Sequence, residues 1–358
     1  MNKTLSSGIL LAALAGFAHA AAGDVQFTIK TGAPIRGGVL TDQQGGVVVG
    51  TLAGDVLALD SRQQERWRTR LAGAITTTPV RTGELLLIST SKGITALQAS
   101  DGKVRWEKAL GNLGLEHLKS WDSYLADPLV SGEQVVVAFG QQLFLLDARD
   151  GKTRWSVKLP AGVVATPLRQ DKRLLLTDDR GQLHSVDLAS GRLLGSTKIA
   201  DAMVQQAPAL QGNTLFYSSR DGKIRARQLD ASAADWEVDH GSSWVIATPL
   251  LDAGKIIVGS SDSQLLQEID QRSGKVVWEL PAKQNVFRKA VKAGGLYWFA
   301  GGDAYAPQTA GRVQAVSPEG KMVRELTLSA ALFGQPVLDR TLIWVGGEDG
   351  ILYAIRSE

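Results

Sequence analysis

The chain of 358 residues contains no cysteine. That excludes disulfides, thiolate metal sites, covalently attached c-type haem and a lipid carried on an N-terminal cysteine. Histidine is almost as scarce. His19, His117, His184 and His240 show neither i,i+4 nor His-x-His spacing, so they read as solvated loop residues and no metal site is expected. Asp178-Asp179 lacks the alternating spacing of a calcium loop and reads as a turn before Gly181. No serine lies in a Gly-x-Ser-x-Gly elbow. The chain is therefore expected to have no catalytic residue, no metal and no cofactor. Charge of one sign is also missing. A net charge of +3, spread over scattered lysines and arginines, leaves no nucleic-acid footprint. Beyond the N-terminus there is no apolar run long enough to cross a bilayer, and no 3.6-residue periodicity.

The N-terminus reads as a processing segment. Lys3 supplies a positive start, Ile9–Phe17 is a short apolar stretch, and Ala18-His19-Ala20 matches a small-x-small cleavage site. Residues 1–22 are expected to be a cleaved signal peptide, and 23–358 a single exported, soluble domain with no membrane anchor of its own.

What is abundant is repetition. Ala96–Trp106 reads as a strand end, a tight turn at Asp101-Gly102 and a second strand that closes on tryptophan. The phrase returns as Leu145–Trp155 and Glu268–Trp278, with worn copies at Ala58–Trp67, Ser185–Gly195, Arg227–Trp236 and Gln314–Arg324. A second marker keeps step with it. Pro34, Pro79, Pro128, Pro167, Pro208, Pro249 and Pro336 each precede an apolar run, and Ala290 stands in the place of one more. The gaps are 45, 49, 39, 41, 41, 41 and 46 residues. Two markers at this period indicate four-stranded propeller blades.

The expected units are 33–73, 74–122, 123–161, 162–202, 203–243, 244–286 and 287–331. The last stretch, 332–358, has only three strands, and Asp24–Lys30 alternates like the missing outer one. Joining the ends gives an all-β, eight-bladed propeller of four-stranded antiparallel blades, closed by the N-terminal strand, with no exposed sheet edge left by an open ring. The recurring tryptophan is expected to cover the seam against the next blade while its N–H finds a backbone acceptor. Glycine at 195 and arginine at 324 imply weaker seams after blades four and seven.

The phrase Ala-Leu-x-x-x-x-Gly-Lys-x-x-Trp, with its Thr-Pro-Val or Thr-Pro-Leu strand entry, resembles the repeat of pyrroloquinoline-quinone-type propellers. The whole exported chain, ending in Asp349–Ile355, is most similar to the BamB family, the propeller accessory of outer-membrane β-barrel assembly. That resemblance implies a periplasmic, non-catalytic scaffold, monomeric on its own, whose partner is another envelope protein or complex such as the barrel-assembly machinery. The chain departs from the family in lacking a lipid-bearing cysteine. It also has no arginine in the loop before Pro128 and no carboxylate in Ser156–Thr166. The alternatives are a quinone-dependent dehydrogenase, in which an aromatic floor and calcium-binding carboxylates would be needed, and a propeller that binds a small ligand.

In such a ring the residues before each strand entry converge on one face. Lys119, Trp121, Tyr124, Trp244, Phe287, Arg288 and Phe333 are therefore the expected protein-binding residues: aromatic and arginine anchors in a polar surround. Some of these aromatics could instead plug the channel or pack between blades. The insertion Gly111–Asp122 is longer than a link between blades requires, and Asp303–Gly311 is a second, weaker candidate.

Overall fold

The computed structural model describes residues 24–42, 44–114, 125–231, 233–241 and 243–358. The expected signal segment and the expected anchors Lys119, Trp121 and Tyr124 lie outside them, as does His117. The described residues form eight antiparallel sheets of four strands each. Seven take their strands consecutively from the chain, over 40–70, 80–109, 129–158, 168–198, 209–239, 250–281 and 291–328. The eighth joins Val337–Asp339, Leu342–Gly346 and Ile351–Arg356 to the N-terminal strand Val25–Lys30. Its register runs Val25↔Ile355, Phe27↔Ala354, Thr28↔Tyr353, Ile29↔Leu352 and Lys30↔Ile351. The ring closes as the alternating N-terminal stretch implies. Among the described residues no helix is long and apolar enough to cross a membrane.

Burial explains the strand sequences. In blade 2, Leu85–Thr90 and Gly93–Gln98 are almost wholly buried because both faces of the middle strands meet a neighbouring blade. The outer strand Val104–Ala109 has one face on its neighbour and one in water, and alternates accordingly. Each of the eight seams has its own apolar cluster, such as Leu87, Ile94, Ala96, Val135 and Val137 between blades 2 and 3.

The tryptophans act across those seams. Trp67, Trp106, Trp155 and Trp236 donate their indole N–H to the carbonyls of Ala99, Ala148, Leu188 and Gln271 in the next blade, at 3.0–3.1 Å. Trp278 donates to Glu268 and, at 3.3 Å, to the carbonyl of Pro318. Under each ring lies the glycine of the next blade's outer turn: Gly102, Gly151, Gly191, Gly274 and Gly320. A Cβ on Gly151 would sit 2.7 Å from Cε3 of Trp106, and its φ is +71°. The glycine is thus needed twice over, for the turn and for the indole. Burying an indole at a seam contributes about 4–6 kcal/mol as an upper bound.

Two sequence expectations need correction. Pro34 is not a strand entry: the first inner strand is Leu40–Thr41, so Val39 occupies the place that Pro79 holds before Val80. The seam after blade 7 is not left thin by Arg324. Trp298 and Tyr353 fill it from the middle of the sheets, and Leu332 from the link between the blades. At the seam after blade 4, the largest filler is Tyr217, whose hydroxyl donates to the carbonyl of Ile199. The outer strand Leu193–Lys198 there is exposed along its whole length.

Ring closure has a second fastening. Arg36, on the approach to blade 1, makes a bidentate ion pair with Glu348 of blade 8, with Nε–Oε1 at 2.7 Å and Nη2–Oε2 at 2.9 Å; both side chains are buried. Removing one partner strands the other charge. Arg36→Met or Glu348→Leu alone is expected to cost about 3–5 kcal/mol, and the pair of substitutions together less than their sum. Urea unfolding of the four proteins measures this, and strict additivity would refute the coupling. Amide hydrogen exchange is expected to be faster in Leu193–Lys198 than in the tryptophan-covered Val104–Ala109; equal protection would show the missing indole to be immaterial.

Candidate functional site

The segment entering each innermost strand crosses from the rim of one blade to the axis of the next. The residue just before the entry position lines the channel, as Thr78, Asp127, Thr166, Thr248, Lys289 and Gln335 do. Trp244, Phe287, Arg288 and Phe333 sit at successive depths along this path.

Trp244 is at the rim and half-exposed. Its carbonyl accepts from the amide of Ser261 in blade 6, and the guanidinium of Arg220 lies 4.3 Å from its ring centroid. Arg220 is held in turn by Oε1 of Gln205 at 2.8 Å. Phe287 and Phe333 are deeper. Their rings are 4.8 Å apart, and both are buried with Ile246, Ala304 and Ala331. As exposed anchors the two phenylalanines are displaced; they form the floor on which the rim rests. Ala304 belongs to Asp303–Gly311, so this insertion lies against the same floor. It holds Tyr305 out into solvent at 75% exposure. Arg220 thus lies on the Trp244 ring, and Tyr305 directly follows the floor residue Ala304. Tyr305 lies in the insertion Asp303–Gly311 that the sequence already offers as a second candidate, whereas Arg220 lies in no segment preceding a strand entry and is not singled out by sequence.

Arg288 does not reach the rim surface. It is buried and crosses the axis, donating Nε to the carbonyl of Phe333, Nη1 to Oε1 of Gln206 and Nη2 to the carbonyl of Arg36. It thereby ties together blades 7, 8, 5 and 1. Beyond it lies a cavity of about 600 Å³. The residues just before the strand entries belt this cavity by linking neighbouring blades. Gly38 N donates to Thr78 Oγ1 at 3.1 Å, Thr78 N to Asp127 Oδ1 at 2.8 Å, and Asp127 N to Thr166 Oγ1 at 3.0 Å. Burial pushes the Asp127 carboxyl up, partly offset by the Thr78 amide and the charge of Arg288.

The two described histidines are not free loop residues. His184 is fully buried on Gln182–Asp187, where Nε2 lies 2.9 Å from Asp178 Oδ2 and Nδ1 lies 2.7 Å from Ser196 Oγ. The other Asp178 oxygen caps the turn through the amides of Arg180 and Gln182. The aspartate thus shapes the turn before Gly181, as its sequence implies, but with a histidine as its second partner. Enclosure of both Asp178 and His184 makes the cluster a fastening between strands. His240 is half-buried beside Ser263, with Nδ1 2.9 Å from the Ser263 hydroxyl.

A family model described as "Outer membrane protein assembly factor BamB" matches residues 17–161, 79–204, 114–238 and 179–358. The chain belongs to the BamB family. BamB of Moraxella catarrhalis superposes with a TM-score of 0.72 over 94% of this chain and 98% of that one, at 20% identity. A europium-containing methanol dehydrogenase superposes with a TM-score of 0.74 over 90% of this chain and 85% of that one, at 13% identity. At such identities both likenesses speak for the fold alone. A curated relative, the quinoprotein alcohol dehydrogenase PedH of Pseudomonas putida, is 26% identical over 137 residues. That match covers 34% of this chain and 23% of the dehydrogenase, so this member of the BamB family shares only a portion of that enzyme's length.

The axial cavity does not fit a quinone and its calcium ion. None of its described lining residues is aromatic, and Asp127 is the one carboxylate among them. Among the described residues no group of three or more His, Asp or Glu side chains could hold a metal.

Burial lowers the proton affinity of His240, against the opposing charges of Glu279 and Asp239. A depressed folded pKa means that the unfolded chain takes up its proton first. The histidine's contribution is therefore complete above the unfolded value of about 6.5 and is lost as the pH falls from there through the lowered folded value. His240→Gln is expected to flatten the loss of unfolding free energy below that pH in urea melts; an unchanged slope would exclude His240 as a source.

Proposed function

We propose that this propeller is a non-catalytic docking platform of the bacterial periplasm that holds another envelope protein against its rim. Membership of the BamB family supports the reading, and the barrel-assembly machinery is the first partner to seek. The observation that carries it is the patch of Trp244, Arg220 and Tyr305, set on the buried floor of Phe287 and Phe333. Aromatic and arginine side chains dominate the energetics of protein interfaces because they bury large area at small conformational cost. Here the exposed members stand on a rigid support, so little ordering is needed on association. Lys119, Trp121 and Tyr124, outside the described residues, remain proposed contact residues between blades 2 and 3.

The test is Trp244→Ala combined with Tyr305→Ala, read by in-envelope crosslinking and by melting temperature. Crosslinked partner is expected to fall at least about tenfold, the loss that truncating one interface hot spot produces. The melting temperature is expected to fall by no more than a few degrees, since Tyr305 is exposed and Trp244 only half-buried. Undiminished crosslinking would place the contact elsewhere, and a large loss of stability would make Trp244 part of the core.

A further inference from the structure

The axial cavity carries an inference independent of the rim. Its titratable lining residues, among the described ones, are Arg169, Arg288, Lys289 and Asp127, three cations to one carboxylate. Asp127 is already engaged by the amide of Thr78. The two donors that matter have nothing to donate to. Nε2 of Gln206 is buried without a partner, because Oε1 of the same amide accepts from Arg288 and so fixes which way the amide points. The Lys289 ammonium has no hydrogen-bond or ion-pair partner among the described residues, although the side chain is largely withdrawn from water, and burial lowers its proton affinity; only the backbone carbonyl is engaged, by the Gln335 amide. An unpaired buried amide and an unpaired, poorly solvated ammonium are each costly. Their occurrence in the lining of one cavity beside a fixed guanidinium describes a site short of one group, an anion with acceptor oxygens.

We propose that the axial cavity binds a small organic carboxylate, held by Lys289 and the Gln206 amide beside the guanidinium of Arg288. A single negative charge suits the site better than a phosphate dianion, since the Asp127 carboxylate lines the same cavity. The volume of about 600 Å³ is that of a small-molecule pocket. Access is from the side opposite the rim. The lining continues from the belt along the innermost strands Leu168–Gln170, Ala209–Gln211 and Leu250–Asp252 to the exposed Arg169, whereas Arg288 spans the rim end. The carboxylate could arrive as a free acid or as the C-terminus of an extended peptide.

Calorimetric titration of the exported chain with N-acetylalanine and its amide, and with a six-residue peptide bearing a free or an amidated C-terminus, tests this. Saturable binding of at least one free acid, absent for its amide, is the expected result, with a melting temperature that rises with ligand concentration. Binding by N-acetylalanine alone identifies a small-molecule site; binding by the peptide as well identifies a terminus reader. Lys289→Met breaks no bond among the described residues and is expected to weaken binding at least about tenfold, as loss of a charge-assisted hydrogen bond does. Gln206→Leu is expected to do the same. No saturable binding at millimolar acid, equal binding of the amides, or full affinity in Lys289→Met would overturn the proposal. The variant with Trp244→Ala and Tyr305→Ala is expected to bind the acid normally, so failure at the rim and failure in the channel are read separately.

Discussion

The pairing of Val25–Lys30 with Ile351–Arg356 is the constraint on which everything else rests. A single blade exposes two apolar faces and can bury them only against neighbours, so stability accrues only as blades are added and is complete only when the last meets the first. A ring also has no end blade to cap. Closure makes the approach to blade 1 and the last turn of blade 8 adjacent, and there Arg36 meets Glu348. The buried ion pair contributes mainly to specificity of closure, because its desolvation offsets much of its attraction. It also fixes the backbone of Arg36, whose carbonyl receives Arg288. The plug of the channel therefore depends on the clasp of the ring.

Between blades the connection is more local. An indole N–H that finds a carbonyl in the next blade sets the spacing, and a glycine beneath the ring sets the closeness. The two residues belong to different repeats but serve one contact, and they are absent together. The turn of blade 5 that would face Gly195 has Asp230-Ala231 and no glycine, and Phe27 of blade 8 faces the turn of blade 1, where Gln63 holds the positive φ. Where the pair is missing, other side chains take over: Tyr217 after blade 4 and Trp298 after blade 7.

This contrast explains what could be read in advance. Trp106 and the Asp-Gly turn lie within one repeat, recur at a fixed offset, and so declare both blade and seam. Pro34 misled because a proline marks a strand entry only by position, and the first repeat carries Val39 there instead. His184 was legible in principle. Its strand alternates, and its place is held by Phe144, Gln267, Gln314 and Tyr353 in other blades, all directed into seams. Scarcity of histidine drew attention to metal spacing and away from that alternation. The depth of Phe287 and Phe333 was not legible, because it is set by Ala304 and Ala331, which belong to a different loop. The rim tyrosine was within reach, because Tyr305 sits in the insertion Asp303–Gly311, whose extra length marks it.

The two candidate surfaces differ in kind because Arg288 lies between them. Toward the rim its neighbours are aromatic rings in van der Waals contact, a surface that gains by excluding water from a large partner. Toward the channel its neighbours are an unpaired amide, a poorly solvated ammonium and a belt of threonines, a surface that gains by supplying acceptors to fixed donors. One guanidinium can serve both sides only because its donors to Phe333, Gln206 and Arg36 hold it in the plane between them. Its charge is then felt in the cavity without being spent on a carboxylate there. A bulky group docked at the rim would press on Phe333, whose carbonyl is a partner of Arg288, while an anion in the cavity would draw on Gln206, which is another. Occupancy on either side thus acts on the same three bonds, and the residue that separates the two surfaces is also the one through which each could sense the other.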